Sequence, residues 1–255
     1  LDWIEALAEA IAGGRPAAAV TVVAGPEALV GKHLVVGPEG ALAGDLSDEA
    51  VVPVAMECLA TGRVFQGIVG SMRVYVEPHL PPPALVVVGA GHVAQPLAHL
   101  GKLMGFAVTV IDDRPEYANA ARFPDADQVL CGPFLECLRS LDLGPRHYVV
   151  LVTRGHQQDT ECLRAVVERP VAYIGMIGSR NRVQTVFRLL ESDHGIDPGR
   201  LAAVYAPIGL DIGAQSPAEI AVSVAAELLK VRRGGAGESL SRLGRARVHG
   251  GGRHG

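Results

Sequence analysis

Residues 84–114 read ALVVVGAGHVAQPLAHLGKLMGFAVTVIDDR, and this stretch decides the fold. Leu85 to Val88 form a continuous apolar run, the pattern of a parallel strand covered on both faces. Gly89-Ala90-Gly91-His92-Val93-Ala94 follows as G-x-G-x-x-A. The first glycine permits a tight turn, the second lets a ligand approach the backbone, and the alanine lets a helix lie close on the sheet. Val93, Leu97, Leu100 and Met104 keep helical spacing, with Pro96 near the first turn, where its missing N–H matters least. Ala107 to Ile111 reads as a second strand, and Asp112 follows where a Rossmann unit places its ribose-binding acid. The motif alone is common. Set in strand, turn, helix, strand and acid, it indicates a nucleotide-type fold without showing that a dinucleotide is bound.

Strand–helix alternation continues outward from this unit. Gln128 to Leu130, Tyr148 to Val152 and Val171 to Ile174 read as further strands, separated by helices near Leu135 to Leu141 and Asp159 to Glu168. A helix from Arg180 to Glu191 ends at His194-Gly195, and Ser216-Pro217-Ala218-Glu219 is a capping box opening the last helix, which Gly234 stops. The expected class is α/β, a Rossmann-like doubly wound parallel sheet over 84–233. A smaller α+β domain is expected over 1–77. It would hold a helix from Trp3 to Ile11, strands at Ala18 to Val23 and His33 to Val36, and a helix from Leu46 to Ala60 capped by Ser47. A hairpin through Gly70-Ser71 would close it. Residues 78–83 form a proline-rich linker, and 234–255, with His249 and His254, read as a flexible tail.

The 255 residues carry a net charge of −4, with 49% hydrophobic and 20% charged side chains. That balance describes a globular chain with no basic field for nucleic acid and no apolar run of membrane-span length. The N-terminus lacks a signal-peptide pattern, so a cytoplasmic location is expected. Cys58, Cys131, Cys137 and Cys162 show no C-x-x-C spacing and read as reduced thiols packed as small hydrophobes.

In a Rossmann strand order the first and fourth strands are neighbours, and ligands bind at their carboxyl ends. That order would gather Gly89, Gly91 and His92 with Arg154, Gly155 and His156, then Gly178, Ser179 and Arg180, and Asp112, Asp113 and Arg114. Helix N-termini and arginines suit phosphate, so the expected ligand is a small anion whose other end offers donors to the carboxylates. Arg180 stands at a helix start, where its charge opposes the dipole and calls for a reason other than helix stability. Arg182 reads as a surface residue of the same helix. His33, His79, His99, His147 and His194 show no partner pattern. There is no H-x-x-x-H, G-x-S-x-G or Walker A sequence.

The segments LVVVGAGHVAQPLA, VIDDRPEYAN, YVVLVTRGHQQD, AYIGMIGSRNR and PIGLDIGAQSPAEIAVSVAAELL together resemble the xanthine dehydrogenase accessory protein family, the XdhC-like proteins. The resemblance spans roughly 84–233 and includes the Gly209, Asp211 and Gly213 turn, which is not generic Rossmann sequence. It implies a cofactor-binding chaperone more than a catalyst. Such a factor holds molybdenum cofactor (molybdopterin or its dinucleotide) during sulfuration by a cysteine desulfurase and delivers it to a xanthine dehydrogenase-type molybdenum hydroxylase. A homodimer is expected.

The N-terminal part departs from the family pattern. Where members often carry glycine–serine–proline–arginine and glycine–glycine–cysteine–glutamate segments, this chain has Ala24-Gly25-Pro26-Glu27 and Gly44-Asp45-Leu46-Ser47-Asp48-Glu49. A role needing that thiol is not carried over, and Cys58 lies too far along to replace it. Two other readings remain open on the sequence. One is an NAD(P)-dependent oxidoreductase, with Asp112 on the ribose and Arg114 near a 2′-phosphate; the other is a non-catalytic nucleotide-binding regulator.

Overall fold

The computed structural model describes residues 2–241. The chain divides into two compact units, with the boundary between Pro82 and Pro83. The first is an antiparallel sheet of β1 (Ala17–Ala24), β2 (His33–Gly37), β3 (Gly40–Gly44), β4 (Phe65–Val69) and β5 (Met72–His79), in the order β3-β2-β1-β5-β4. Alternation along β1 sends Ala18, Val20 and Val22 to the face covered by α2 (Val52–Thr61), where Ala55 and Cys58 are buried. Ala17 points to the opposite face, under Ala10 of α1 (Trp3–Ala12).

Three details differ from expectation. The helix begins not at Leu46 but after a 3₁₀ turn, Glu49–Val51, which Asp48 rather than Ser47 caps through the Ala50 N–H at 2.9 Å. Pro53 then falls in the first turn of α2, where its missing N–H is harmless. β3 gave no sequence signal because its Gly-Ala-Leu-Ala-Gly run is short and glycine-bounded. Pro78 and His79, expected in the linker, extend β5 opposite Ala18 and Ala17. The pairing with β4 ends at Val76, so beyond it one side of β5 is unpaired, a position that tolerates proline.

The second unit is a parallel sheet in the order β10-β9-β6-β7-β8, formed by β6 (Ala84–Val88), β7 (Ala107–Asp112), β8 (Gln128–Cys131), β9 (His147–Leu151) and β10 (Tyr173–Met176). The doubly wound arrangement is present. Val86 and Val88 pack with α4 (Phe134–Ser140), α5 (His156–Val166) and α6 (Arg180–His194). Leu85 and Val87 face α3 (Ala94–Leu103) and α8 (Pro217–Arg233) on the other side. Both faces are covered, which is why β6 reads as an unbroken apolar run. The fifth strand lies two residues later than the Val171 to Ile174 run, because Tyr173 pairs in register with Tyr148.

Between α6 and α8 the chain forms a short helix not expected from sequence, α7 (Pro198–Ala202), and Tyr205 bridges to Gly175 beside β10. The following turn is locked to α8 and β10 through a buried carboxylate. Glu227 Oε2 accepts the Tyr173 hydroxyl at 2.6 Å and the Gly209 N–H at 3.0 Å. Gly209 (φ +101°) has no room for a side chain, since a Cβ would stand 2.4 Å from Ser223 Oγ. Burial and the Glu227 hydrogen bond push the Tyr173 phenol well above its ordinary pKa. Part of the distinctive glycine turn thus has a packing explanation.

The capping box is formed as read: Glu219 N–H donates to Ser216 Oγ at 3.3 Å, and Ser216 N–H donates to Glu219 Oε2 at 2.9 Å. Ser216→Ala should destabilise this unit by about 1 kcal/mol, read as a shift in denaturant midpoint without a change in slope. Gly234 (φ +66°) ends α8 as expected. Most of the tail, with His249 and His254, lies outside the described residues.

Candidate functional site

The glycine turn after β6 is built by contacts on both sides of the strand. Gly89 N–H donates to Ile111 O on β7 at 2.7 Å, and Val152 N–H donates to Val88 O at 2.8 Å. Gly89 has φ +106°, and a Cβ there would lie 2.6 Å from Val152 O. Its glycine is therefore demanded by the backbone that follows β9. Gly91 is the opposite case: a Cβ there would meet nothing within 4 Å, so open space adjoins this backbone. His92 is exposed in the turn before α3.

Asp112 ends β7, as the spacing predicts, but its carboxylate is 1% exposed and occupied by the chain itself. Oδ2 accepts the Ala90 N–H at 2.7 Å and Arg114 Nη2 at 3.1 Å. Oδ1 accepts Arg114 Nε at 2.9 Å and the Arg114 N–H at 3.1 Å. Burial pushes the carboxyl's pKa up, but the Arg114 guanidinium and the two N–H groups outweigh it and hold the group below the usual carboxylate range. The hydrogen bond to Asp112 raises Arg114 in turn. Asp113 accepts Arg154 Nη2 at 2.9 and 3.1 Å and stands 3.8 Å from Arg114 Nε, and so ties the β7 loop to the β9 loop. With side-chain exposures of 36% and 47%, this pair contributes orientation more than stability.

The loops after β9 and β10 are joined by residues that sequence reasoning missed. Asp159 is fully buried in the first turn of α5, where it accepts the Thr153 hydroxyl and Arg182 Nε, the latter at 2.6 Å. Arg182, read from sequence as a surface residue, is one half of this buried tie. No periodicity within one element could have paired it with Asp159, because the two lie on different helices. α5 begins at His156 after Gly155, and its N-terminus has no side-chain cap. The His156 side chain itself lies outside what the structure describes. α6 begins after Ser179, whose hydroxyl accepts the Arg182 N–H at 3.3 Å. Gly178 lies against Arg182, and a Cβ there would be 3.3 Å from its Cδ. Arg180 is exposed and makes no ion pair among the described residues.

The structure thus puts the predicted residues on one sheet edge and links four of them, Asp112, Arg114, Asp113 and Arg154, in one run of ion pairs. Asp112 joins Arg114 and the glycine turn, while Asp113 joins Arg154. What remains open is the Gly91 backbone, the α5 N-terminus, His92 and Arg180. Such a set offers N–H groups and positive charge to an anion. Among the described residues, no group of metal-binding side chains is assembled. Cys58 and Cys162 are buried, and burial pushes the Cys162 thiol up to about 12. Cys131 departs from the expectation of packed thiols: it is exposed, paired in register with Asp112 at the end of β8.

Residues 85–228 match the family described as the XdhC Rossmann domain. The chain is 37% identical over 169 residues to the uncharacterized protein YqeB of Escherichia coli (strain K12), covering 66% of this chain and 31% of that protein. It is 36% identical over 163 residues to a probable xanthine dehydrogenase subunit of Bacillus subtilis (strain 168), covering 64% of this chain and 47% of that one. The chain therefore spans less than half the length of either relative. A crystal structure titled as a xanthine dehydrogenase from Bacillus halodurans superposes on 89% of this chain and 65% of its own, with a TM-score of 0.69 and 24% identity, a likeness of fold.

Proposed function

The chain belongs to the XdhC family, and from that membership we propose that it is an accessory factor for a xanthine dehydrogenase-type molybdenum hydroxylase, holding molybdenum cofactor in the crevice at the carboxyl edge of the parallel sheet. The observation that carries the ligand class is the pairing of an uncapped α5 N-terminus with Arg180, a cation held at a helix start without an acidic partner among the described residues. A cation there opposes the helix dipole, and a bound anion would relieve it. When bound, the cofactor supplies the molybdenum centre, and its phosphate or pyrophosphate supplies the anion.

The donor set fits that group. Backbone at Gly91 can approach a ligand closely, and His92, Arg154, Gly155, His156, Gly178, Ser179 and Arg180 are the proposed contacts. Gly89, Asp112, Asp113 and Arg114 shape the wall. Further partners in this reading are a cysteine desulfurase and a second copy of the chain, and the proposed setting is the cytoplasm. Nucleophilic thiol chemistry does not fall to Cys58, which is 4% exposed and whose pKa burial raises. Holding and handing over are the proposed roles.

Purified protein should retain molybdenum and a fluorescent pterin, and should restore activity to a cofactor-free hydroxylase. Arg180→Ala should weaken retention about tenfold or more, the loss expected for one charge-assisted hydrogen bond. Protein that neither carries nor protects the cofactor, and whose deletion leaves hydroxylase activity unchanged, would sink the proposal.

A further inference from the structure

In a dinucleotide site, the acid ending the second strand accepts hydrogen bonds from ribose hydroxyls. A carboxylate offers about four acceptor positions. At Asp112 the chain's own donors take all of them: the Ala90 N–H, the Arg114 N–H, and Nε and Nη2 of Arg114. Arg114 is not loosely placed. Its guanidinium carbon lies 3.6 Å from the centroid of the Tyr117 ring, and its side chain is 22% exposed. Arg122 supports the same arrangement, standing 5.0 Å from that centroid, with Nη2 reaching Gln95 Oε1 at 3.2 Å and Ala90 O at 3.5 Å.

A vicinal diol arriving at Asp112 would have to displace the guanidinium from two charge-assisted hydrogen bonds and from its aromatic seat at once. We propose that Arg114 occupies the position a ribose would take, so that the crevice selects a ligand anchored through an anion and rejects one anchored through a vicinal diol. The inference rests on the crevice being the ligand site, as in the proposed function. It deepens that reading by favouring a phosphate-terminated ligand over one that needs a ribose at Asp112. It also counts against the ordinary NAD(P) reading of the glycine turn. The fork geometry is specific to arginine, since lysine is a point donor that would satisfy only part of the carboxylate.

The test is calorimetric titration of the full chain with ADP-ribose and, separately, with inorganic pyrophosphate. The wild type should bind pyrophosphate and should hold ADP-ribose, whose own diphosphate can reach the same donors, no more tightly. Arg114→Met should gain ADP-ribose affinity by about tenfold or more while pyrophosphate affinity stays near the wild-type value, and adding Asp112→Asn should remove the gain. Arg114→Lys should fall between wild type and Arg114→Met, and native near-ultraviolet dichroism is required of each variant scored. Micromolar ADP-ribose binding by the wild type that Asp112→Asn weakens would overturn the inference. So would the absence of any gain in folded Arg114→Met and Arg114→Lys. Failure to retain molybdenum cofactor would overturn the proposed function alone, because the ADP-ribose comparison does not use that cofactor.

Discussion

Gly89→Ala should destabilise the parallel-sheet unit by about 3 kcal/mol or more, lowering its Tm by roughly 10 °C. Two effects combine. At φ +106° an alanine is strained wherever its methyl goes. The methyl would also lie 2.6 Å from Val152 O and 2.8 Å from Val152 C, backbone atoms that cannot rotate away. Relief would require β6 and the β9 loop to separate, weakening the Gly89 N–H bond to Ile111 O and the Val152 N–H bond to Val88 O. Gly91→Ala is the matched control, because its Cβ would meet nothing within 4 Å. It should melt near the wild-type temperature yet impair ligand approach. The transition is best followed by near-ultraviolet dichroism of Tyr117, Tyr148, Tyr173 and Tyr205, all in this unit. Equal melting of the two alanine variants would refute the division of roles between the glycines.

Asp159→Ala should cost about 3–5 kcal/mol, the range for removing one partner of a buried ion pair. Asp159 is fully buried and Arg182 only 22% exposed, so the guanidinium would be left in a poorly solvated place without its counter-charge. The Thr153 hydroxyl would lose its acceptor as well. The loss should be functional too, since this carboxylate ties the start of α5 to the start of α6. Asp159→Asn, similar in shape but uncharged, should recover part of the stability. If Asp159→Ala unfolds within about 1 kcal/mol of the wild type in urea, the network is not what joins the two loops.

These residues mark the limit of what is legible in the sequence. The strand–turn–helix unit at Ala84 is readable because its signals are local: an apolar run, glycines at fixed offsets, helical spacing and a following acid. The capping box at Ser216 is readable for the same reason. The position of Asp112 is legible, but its state is not, because the bond from Ala90 spans 22 residues and forms only when β6 and β7 pair in register. Asp159 and Arg182 are 23 residues apart on separate helices, and Tyr173 and Glu227 are 54 apart. No sequence period connects either pair.

The sequence by itself determined the doubly wound parallel sheet and the family to which the chain belongs. Burial pattern, turn chemistry and capping act over a few residues and all agree. Only the tertiary structure decided which groups at the sheet edge are satisfied by the chain and which remain open to a ligand. A carboxylate has few acceptor positions, and whether they face a substrate or a neighbouring arginine depends on which loops the strand register brings together. At Asp112 they face Arg114, and the acid that looks like a ribose ligand in sequence is in the fold the anchor of a cation.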